Sequence, residues 1–272
     1  MPIITITSDF GQKDPDVGHL KALILQAVPQ VQLVDITHEI VPFDKSEAAY
    51  IIKNALRNFP AKTIHLVAID CENYEAQKPL LFDINGQYFL TNDNGLLATA
   101  FQNEKMTVYS LAFLENERFM QTQIQAVKKL SAGDLPSDFA VKTNDYKQIK
   151  LSEPSIKHLD NTDSVSTIIP KVIFIDNYGN AVLNLKKPDF EKWRKNRKFT
   201  INFGLHSIKK LIVGYNDFET KKDRLTHAGD FFARFNDFGY LEIFVYQSNR
   251  SSGGADTLLG LRKHQTVIIS FL

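Results

Sequence analysis

The first seventy residues alternate apolar runs with stretches of helical spacing, and this alternation constrains the fold more than any other feature. Strand-like runs cover residues 3–7, 31–40 and 63–70. Between them, residues 17–28 and 45–59 repeat apolar side chains every three or four positions, which predicts amphipathic helices. A β-α-β-α-β order is typical of a parallel sheet covered by helices. We therefore predict an α/β amino-terminal domain with a mostly parallel sheet.

The rest of the chain changes pattern. Asn85-Gly86 between apolar stretches predicts a hairpin, and helical spacing predicts a helix over 119–131. Ser, Asp, Asn, Lys and Pro then dominate from about residue 144, as in a linker. After the linker every apolar run is short and alternating, which indicates an all-β fold. We predict an α/β domain over 1–165, including the linker, and a β-barrel domain over 166–272.

Composition excludes several classes of protein. Lys and Arg number 32 against 31 Asp and Glu, so no strong positive field attracts nucleic acid. No apolar run approaches the length of about 18 residues that a membrane span needs. A single cysteine, Cys71, excludes an internal disulfide and a cysteine-rich zinc site. Because the amino terminus lacks the basic start of a signal peptide, we expect a cytoplasmic protein without membrane or nucleic-acid partners.

Three aspartates crowd the loop after the first predicted strand, in "TSDFGQKDPDVGHLK", residues 7–21. Asp9 follows the first strand and Asp70 follows the third, and the carboxyl ends of parallel strands face one crevice. Two carboxylates there are suited to orient sugar hydroxyls, to hold a metal, or to act as acid and base. The alternative is that each one only caps a loop. The pattern leaves these alternatives open.

Two further motifs have more than one interpretation. His38 in "DITHEI" is a candidate base or metal ligand, although a lone histidine at a strand end is more often structural. In "IDNYGNAVLNL", Asp176, Tyr178 and Asn180 are suited to pair with an ammonium, stack on a base and read a purine edge. The same residues around Gly179 also fit a plain hairpin turn. The "DFG" of the first loop lacks the other kinase motifs.

Six stretches in order together resemble one family: "TSDFGQKDP-VG--K", "VDITHEIVPFD---AAY", "FP--TIHLVAID", "NDNGLL", "IDNYGNAVLNL" and "FGYLEI-----------LLGL". The chain resembles the S-adenosyl-L-methionine hydroxide adenosyltransferases and their fluorinase and chlorinase relatives. The resemblance implies an α/β domain, a β-barrel domain and a homotrimer with sites between neighbouring subunits. It also implies that hydroxide or halide attacks C5′ of S-adenosylmethionine, which is the substrate, without a metal or other cofactor.

The resemblance assigns roles by position. Asp9 matches the aspartate that holds the ribose hydroxyls, Phe43 the aromatic wall of the ribose, and Asp70 the catalytic aspartate. In the second half, the matching positions are those that contact methionine's amino group and adenine. They are Asp176 for the amino group, Asn180 for the adenine edge, and Tyr178 and Tyr215 as aromatics around adenine.

The chain departs from the family at two catalytic positions. The family's arginine falls at about Gln77, and its histidine falls at Arg118, Phe119 or Met120, none of which accepts a proton near neutral pH. The resemblance therefore implies a degenerate catalytic set of which Asp70 remains. We predict cleavage of S-adenosylmethionine to adenosine and L-methionine. The alternatives are a catalytically degenerate trimer that binds a nucleoside, and a trimer kept only for assembly.

Two departures affect binding. Asp16 stands where the family has a tyrosine, which adds charge near the ribose region. Asp237 replaces a serine that faces methionine's carboxylate, and two carboxylates at 4 Å repel by roughly 1 to 4 kcal/mol. Adenosine recognition is therefore expected to survive better than methionine recognition.

Overall fold

The chain divides into two compact units, Met1–Leu151 and Ser152–Leu272. The structure is a computed structural model that describes residues 1–71, 78–112, 119–159, 164–214, 217, 226–248 and 253–272. The domain boundary near residue 165 concerns independent folding and stays a prediction.

The first unit interleaves helices with strands in the predicted order. Its described elements are β1 (Ile3–Ser8), α1 (Asp16–Ala27), β2 (Gln32–Thr37), α2 (Lys45–Ala55), β3 (Ile64–Ala68), β4 (Pro79–Ile84), β5 (Gln87–Asn92), α3 (Leu96–Ala100), β6 (Met106–Ser110), α4 (Phe119–Ala132), a 3-10 turn at Pro136–Asp138 and β7 (Val141–Lys142). The three strands and two helices predicted for the first seventy residues are confirmed.

The strands form one mixed sheet in the order β2-β1-β3-β5-β4-β6-β7. The pairs β2-β1, β1-β3 and β3-β5 are parallel, whereas β4 pairs antiparallel with both β5 and β6. The chain reverses at Asn85 and Gly86, with φ of 53° and 79°, which confirms the predicted hairpin. A mostly parallel sheet was expected, but three of the six strand pairs are antiparallel: β4-β5, which this hairpin joins, and the pairs β4-β6 and β6-β7.

Helices cover both faces of this sheet. On one face, Leu20 and Ile24 of α1 and Val127 of α4 pack against Ile4 and Ile6 of β1. On the opposite face, α2 and α3 pack against the central strands, with Ala48, Ile52, Leu96, Val67 and Phe89 among the buried residues. Because β1 and β3 are covered on both sides, their polar residues are buried as well as their apolar ones: Thr5, Thr7 and His65 are fully shielded from solvent.

Helix ends follow local chemistry. Asp44 caps α2, since its carboxylate accepts hydrogen bonds from the N–H groups of Ser46 and Glu47. Asp16 lies in the first turn of α1, where a negative charge faces the positive end of the helix dipole. Asp16, one of the three aspartates of the first loop, therefore has a structural role. Helix α2 ends at Ala55 rather than near 59, because a turn precedes Pro60.

The second unit is built of antiparallel strands with two short helices. Its described elements are β8 (Ser155–His158), β9 (Val165–Ile169), β10 (Val172–Ile175), β11 (Ala181–Lys186), α5 (Lys187–Arg194), β12 (Phe199–Phe203), β13 (His206–Ile208), β14 (Phe231–Phe235), β15 (Tyr240–Val245), α6 (Ala255–Leu258) and β16 (Ile268–Phe271). They form a four-stranded sheet, β10-β11-β15-β14, and a five-stranded sheet, β13-β12-β16-β9-β8.

One apolar core joins the strands of this unit, and Leu183, Ile201 and Ile243 are fully buried in it. The all-β prediction missed α5, which carries Pro188 in its first turn and buries Phe190 in the same core. Closure of the two sheets into a barrel stays a prediction. In the described parts of both units, no helix is long and apolar enough to cross a membrane.

A buried histidine lies at the centre of the first unit. His65 of β3 is fully buried, with Nδ1 2.7 Å from Oγ1 of Thr5. Its ring lies between those of Phe59 and Phe89, at centroid distances of 5.6 and 4.4 Å. Burial lowers the pKa of His65 from 6.5 to about 4, although the Gln87 side chain opposes this shift. The folded chain therefore holds this ring neutral.

This burial predicts an acid-sensitive stability. Between pH 6.5 and 4, His65 becomes protonated in the unfolded chain but stays neutral in the folded chain. The free energy of unfolding therefore falls as pH falls. From pH 7 to 4.5 we expect this group to account for a loss of about 2–3 kcal/mol. Urea unfolding of the wild type and of His65→Gln across this range measures it.

The control for this experiment is His158→Gln, which removes an exposed histidine of β8. The free energy of unfolding of His65→Gln should change less with pH than that of the wild type. That of His158→Gln should change with pH as in the wild type. Parallel slopes for all three proteins would contradict the prediction.

Candidate functional site

The carboxylate of Asp9 joins two loops at the carboxyl ends of β1 and β3. Its Oδ2 accepts hydrogen bonds from the backbone N–H of Phe43 and that of Asp70, each at 3.1 Å. Both of these residues have left-handed backbones, with φ of 66° and 52°. The N–H of Asp9 itself donates to the carbonyl of Ala68 at 3.3 Å. The predicted meeting of Asp9 and Asp70 is thus observed, and Phe43 lies with them.

Asp70 is held at both its backbone and its side chain. Its carbonyl accepts a hydrogen bond from Nδ2 of Asn92 at 2.9 Å. Its Oδ2 lies 2.9 Å from Nζ of Lys45, and the two side chains are 22% and 26% exposed. Lys45 is the first residue of α2 and was missed by the sequence analysis. Its position directly after the Asp44 cap, two residues beyond Phe43, was the only available signal.

Cys71 follows Asp70 and is buried beneath it. Its Sγ lies 3.6 Å from the carbonyl oxygen of Ile69 and 3.7 Å from Oδ1 of Asn92. Burial raises the pKa of the Cys71 thiol, and the charge of Asp9 raises it further. The thiol therefore stays protonated near neutral pH. Cys71 packs with Ala68 and Phe10, and its protonated thiol is a poor nucleophile.

His38 is a buried residue that contacts Ser8 of β1 and the exposed Asp35 of β2. Its Nδ1 lies 2.7 Å from Oγ of Ser8, and its Nε2 lies 3.3 Å from Oδ1 of Asp35. The carbonyl of His38 accepts a hydrogen bond from the N–H of Gly11 at 2.7 Å. Burial raises the pKa of Asp35, but Lys21 and His38 outweigh it and lower the value overall. Because His38 is fully buried, these contacts support the structural interpretation.

In the second unit, Asp176 builds the turn between β10 and β11. Its Oδ1 accepts from the N–H groups of Tyr178 and Asn180 at 2.8 and 2.9 Å, and its Oδ2 accepts from Nδ2 of Asn180 at 2.8 Å. Gly179 supplies the positive φ, 80°. The hairpin alternative is therefore realised in the backbone. Asn180 is buried, whereas the Tyr178 ring is exposed.

A second loop supports this turn from the far end of the chain. The N–H of Asp256 donates to the carbonyl of Gly179 at 3.1 Å. A Cβ placed on Gly254 would lie 2.6 Å from Cα of Gly179, which no side chain tolerates. Gly254 was not singled out in the sequence, although "SGGAD" signals a close backbone approach.

An ion pair lies on the strands beside this turn. Nε of Arg234 on β14 lies 2.6 Å from Oε1 of Glu242 on β15, and Glu242 is buried. Burial raises the pKa of Glu242, Arg234 opposes the shift, and the charge of Asp176 adds to it. The Arg234 guanidinium also lies 4.9 Å from the centroid of Phe244. The pair fixes the two strands beside the Asp176 turn.

Several predicted positions belong neither to the residues around Asp9 and Asp70 nor to those around Asp176. Tyr215, Gln77 and Arg118 lie outside the described residues. Met120 is in the first turn of α4 and packs against the core. Asp237 is exposed in the turn between β14 and β15. Within the described ranges, no group of three His, Cys, Asp or Glu residues is arranged to hold a metal ion.

Fold and site together define the class of this protein. Paired aspartates at the carboxyl ends of neighbouring parallel strands are typical of α/β proteins that bind a small ligand at that edge. Models of the SAM hydroxide adenosyltransferase N-terminal and C-terminal domains match residues 4–145 and 170–268. The chain belongs to the SAM hydroxide adenosyltransferase family.

Individual relatives agree with this assignment. The chain is 27% identical over 259 residues to the (R)-S-adenosyl-L-methionine hydrolase of Methanocaldococcus jannaschii, covering 92% of this chain and 91% of that one. It is 40% identical over 63 residues to the fluorinase of an Actinoplanes species, covering 23% and 21%. An uncharacterized conserved protein from Thermotoga maritima has the same fold, with a TM-score of 0.78, 22% identity and coverage of 98% and 99%.

The hydrogen bonds of Asp9 predict a large effect on stability. Asp9→Ala removes an acceptor from two backbone N–H groups in left-handed conformations, so we expect the free energy of unfolding to fall by about 2–4 kcal/mol. Asp14→Ala, which removes an exposed carboxylate from the same loop, should change it by less than about 0.5 kcal/mol. Urea unfolding measures both, and equal effects would contradict the role assigned to Asp9.

The close approach at Gly254 gives a second prediction. Gly254→Ala must push the Asp176 turn away, so we expect a loss of roughly 1–3 kcal/mol from overpacking. Gly214→Ala is the matched control, because a Cβ there meets nothing within 4 Å. Thermal unfolding separates the two variants, and a neutral Gly254→Ala would show that the approach is not tight.

Proposed function

We propose that this chain cleaves S-adenosyl-L-methionine with a water-derived hydroxide, giving adenosine and L-methionine. The carrying observation is that Asp9 and Asp70 are locked together at one edge of the sheet in a member of the SAM hydroxide adenosyltransferase family. The relative from Methanocaldococcus jannaschii is named as an (R)-S-adenosyl-L-methionine hydrolase, which supports the same reaction here.

In the first unit, we assign binding of the ribose to Asp9 and Phe43. Since Oδ2 of Asp9 accepts two backbone N–H groups, Oδ1 is the oxygen that we assign to the ribose hydroxyls. The Phe43 side chain is 55% exposed and offers an apolar wall beside that carboxylate. Its left-handed backbone is fixed by Asp9, so the wall and the hydroxyl acceptor are positioned together.

In the second unit, we assign the amino group of methionine to Asp176 and adenine to Asn180, Tyr178 and Tyr215. Each carboxylate oxygen has two acceptor sites, so Oδ2 of Asp176 retains capacity for an ammonium beside its bond to Asn180. Tyr178 is exposed and offers a face for stacking. These roles rest on the resemblance and on the shared turn.

The reaction asks little of the protein beyond positioning. The oxygen of water forms a bond to C5′, the C5′–S bond breaks, and its electron pair remains on sulfur as the neutral thioether of methionine. The proton lost by water passes to Asp70 and then to solvent. Because the sulfonium is already a good leaving group, catalysis needs an oriented ribose and a held water. No redox step is required.

The second candidate is a nucleoside-binding protein without turnover, which binds S-adenosylmethionine or adenosine. The observation that favours it is the engagement of Asp176 by three hydrogen bonds of its own turn, while the Asp9 site keeps an uncommitted oxygen position. Methionine would then be held less firmly than the adenosyl group. We also propose a homotrimeric, cytoplasmic protein with a closed β-barrel domain, as the resemblance implies.

The test uses the purified full chain with both sulfonium epimers of S-adenosylmethionine, with chloride or fluoride in parallel. Adenosine and methionine are followed by chromatography, and adenosine binding by calorimetry. We expect adenosine release, a decrease in kcat of about 100-fold or more in Asp70→Asn, and unchanged adenosine binding in that variant. Asp145→Asn, an exposed carboxylate paired with Lys78, is the matched control.

Each outcome separates the candidates. Binding of adenosine without turnover of either epimer supports the binding protein. Formation of a 5′-halogenated product would show that halide, and not hydroxide, is the nucleophile. If neither S-adenosylmethionine nor adenosine binds, both candidates are wrong.

A further inference from the structure

The pairing of Lys45 with Asp70 carries an inference that rests on the proposed function and deepens it. Nζ of Lys45 lies 2.9 Å from Oδ2 of Asp70, at the edge of the sheet where Asp9 also lies. About three quarters of each side chain is shielded from solvent. A pair at this depth is screened less than a surface ion pair, so its geometry is better defined.

The chain fixes this pair from both sides. Asp9 holds the N–H of Phe43, two residues before Lys45, and with the same oxygen holds the N–H of Asp70. Asp44, between Phe43 and Lys45, caps α2 and sets the direction of its first turn. The backbones that carry the ammonium and the carboxylate are therefore both anchored near Asp9, which keeps the two side chains within reach of each other.

Helix stability does not account for a lysine at this position. Lys45 begins α2, and a positive charge at the amino end of a helix opposes the helix dipole. The cost is typically a few tenths of a kcal/mol to about 1 kcal/mol. Asp70 offsets it, but an uncharged residue would avoid it altogether. The placement instead serves the carboxylate that it contacts.

The chemistry of the pair suits a bound water. A lysine ammonium has three N–H donors, and its ion pair with Oδ2 of Asp70, at 2.9 Å, occupies at most one of them. The others can donate to the oxygen of a water whose proton is accepted by Asp70. As Asp70 accepts the proton, the ammonium stabilises the negative charge that develops on the oxygen; the oxygen then bonds to C5′, and the electron pair of the broken C5′–S bond leaves with sulfur. Proton and charge are both accounted for.

We propose that Lys45 is a catalytic residue for the reaction: from the first turn of α2 it orients Asp70 and donates to the attacking water. Gln77, at about the position of the family's arginine, is uncharged and supplies no cation for the catalytic aspartate. Lys45 supplies it from a different segment of the chain, 25 positions before Asp70.

The test compares Lys45→Met, Lys45→Gln and Lys45→Arg with the wild type, measuring kcat and KM for S-adenosylmethionine separately. We expect kcat to fall about 100-fold in the Met and Gln variants with KM within about threefold, because water positioning acts in the transition state. The kcat of Lys45→Arg should be at least tenfold higher than that of the Met and Gln variants, since arginine keeps the charge.

Chemical rescue distinguishes a catalytic role from a structural one. Ethylammonium added to Lys45→Ala, which leaves room for the amine, should raise kcat at least fivefold, whereas tetramethylammonium at the same ionic strength should not, because it has no N–H donor. Lys78→Met is the matched control: Lys78 also pairs with an aspartate, Asp145, at 2.7 Å, but with side chains 59% and 84% exposed. It should match the wild type in both constants.

The outcomes separate this inference from the proposed function. If the wild type binds adenosine but does not cleave S-adenosylmethionine, the proposed function is wrong, and this inference is wrong with it. An active wild type with equally active Met and Gln variants overturns only the inference, as does a change confined to KM. Adenosine calorimetry on each variant confirms that it folds, and loss of kcat without ethylammonium rescue assigns Lys45 a structural role instead.

Discussion

A single carboxylate oxygen organises the edge of the sheet in the first unit. Oδ2 of Asp9 binds the N–H groups of Phe43 and Asp70, two non-glycine residues with positive φ. A left-handed backbone costs such a residue roughly 1–2 kcal/mol. A hydrogen bond to a charged acceptor contributes about 1.5–3 kcal/mol, so each bond is large enough to offset one strained residue. The backbones of Phe43 and Asp70 are therefore held in place by the Asp9 side chain.

The two units build their aspartate sites in different ways. Asp9 bonds residues 34 and 61 positions away, so its contacts exist only after β1, β3 and the loop before α2 have come together. Asp176 bonds residues two and four positions away, so its turn can form locally. The first site therefore depends on the assembled sheet, whereas the second depends on a short stretch of chain and on the close approach of Gly254.

The sequence predicted those features that repeat or that have a local chemical cause. Strands β1 to β3 and helices α1 and α2 follow from apolar periodicity, and the hairpin at Asn85 follows from its turn chemistry. Helix α5 was missed because its eight residues, Lys187–Arg194, place only two large apolar side chains against the core, Phe190 and Trp193, which are too few to establish a repeat. The contact of Lys45 with Asp70 was missed for another reason: it joins distant segments through the backbone anchors of Asp9, and no spacing in the sequence encodes such a contact.

Cys71 has a consequence for observing motion at this site. It is the single cysteine of the chain, and it is buried directly after Asp70 with its thiol kept protonated. A thiol in this state reacts with a disulfide reagent only when the surrounding structure opens. The rate at which the native thiol is modified therefore reports how often the structure around Cys71, next to Asp70, opens. No label has to be introduced for this measurement.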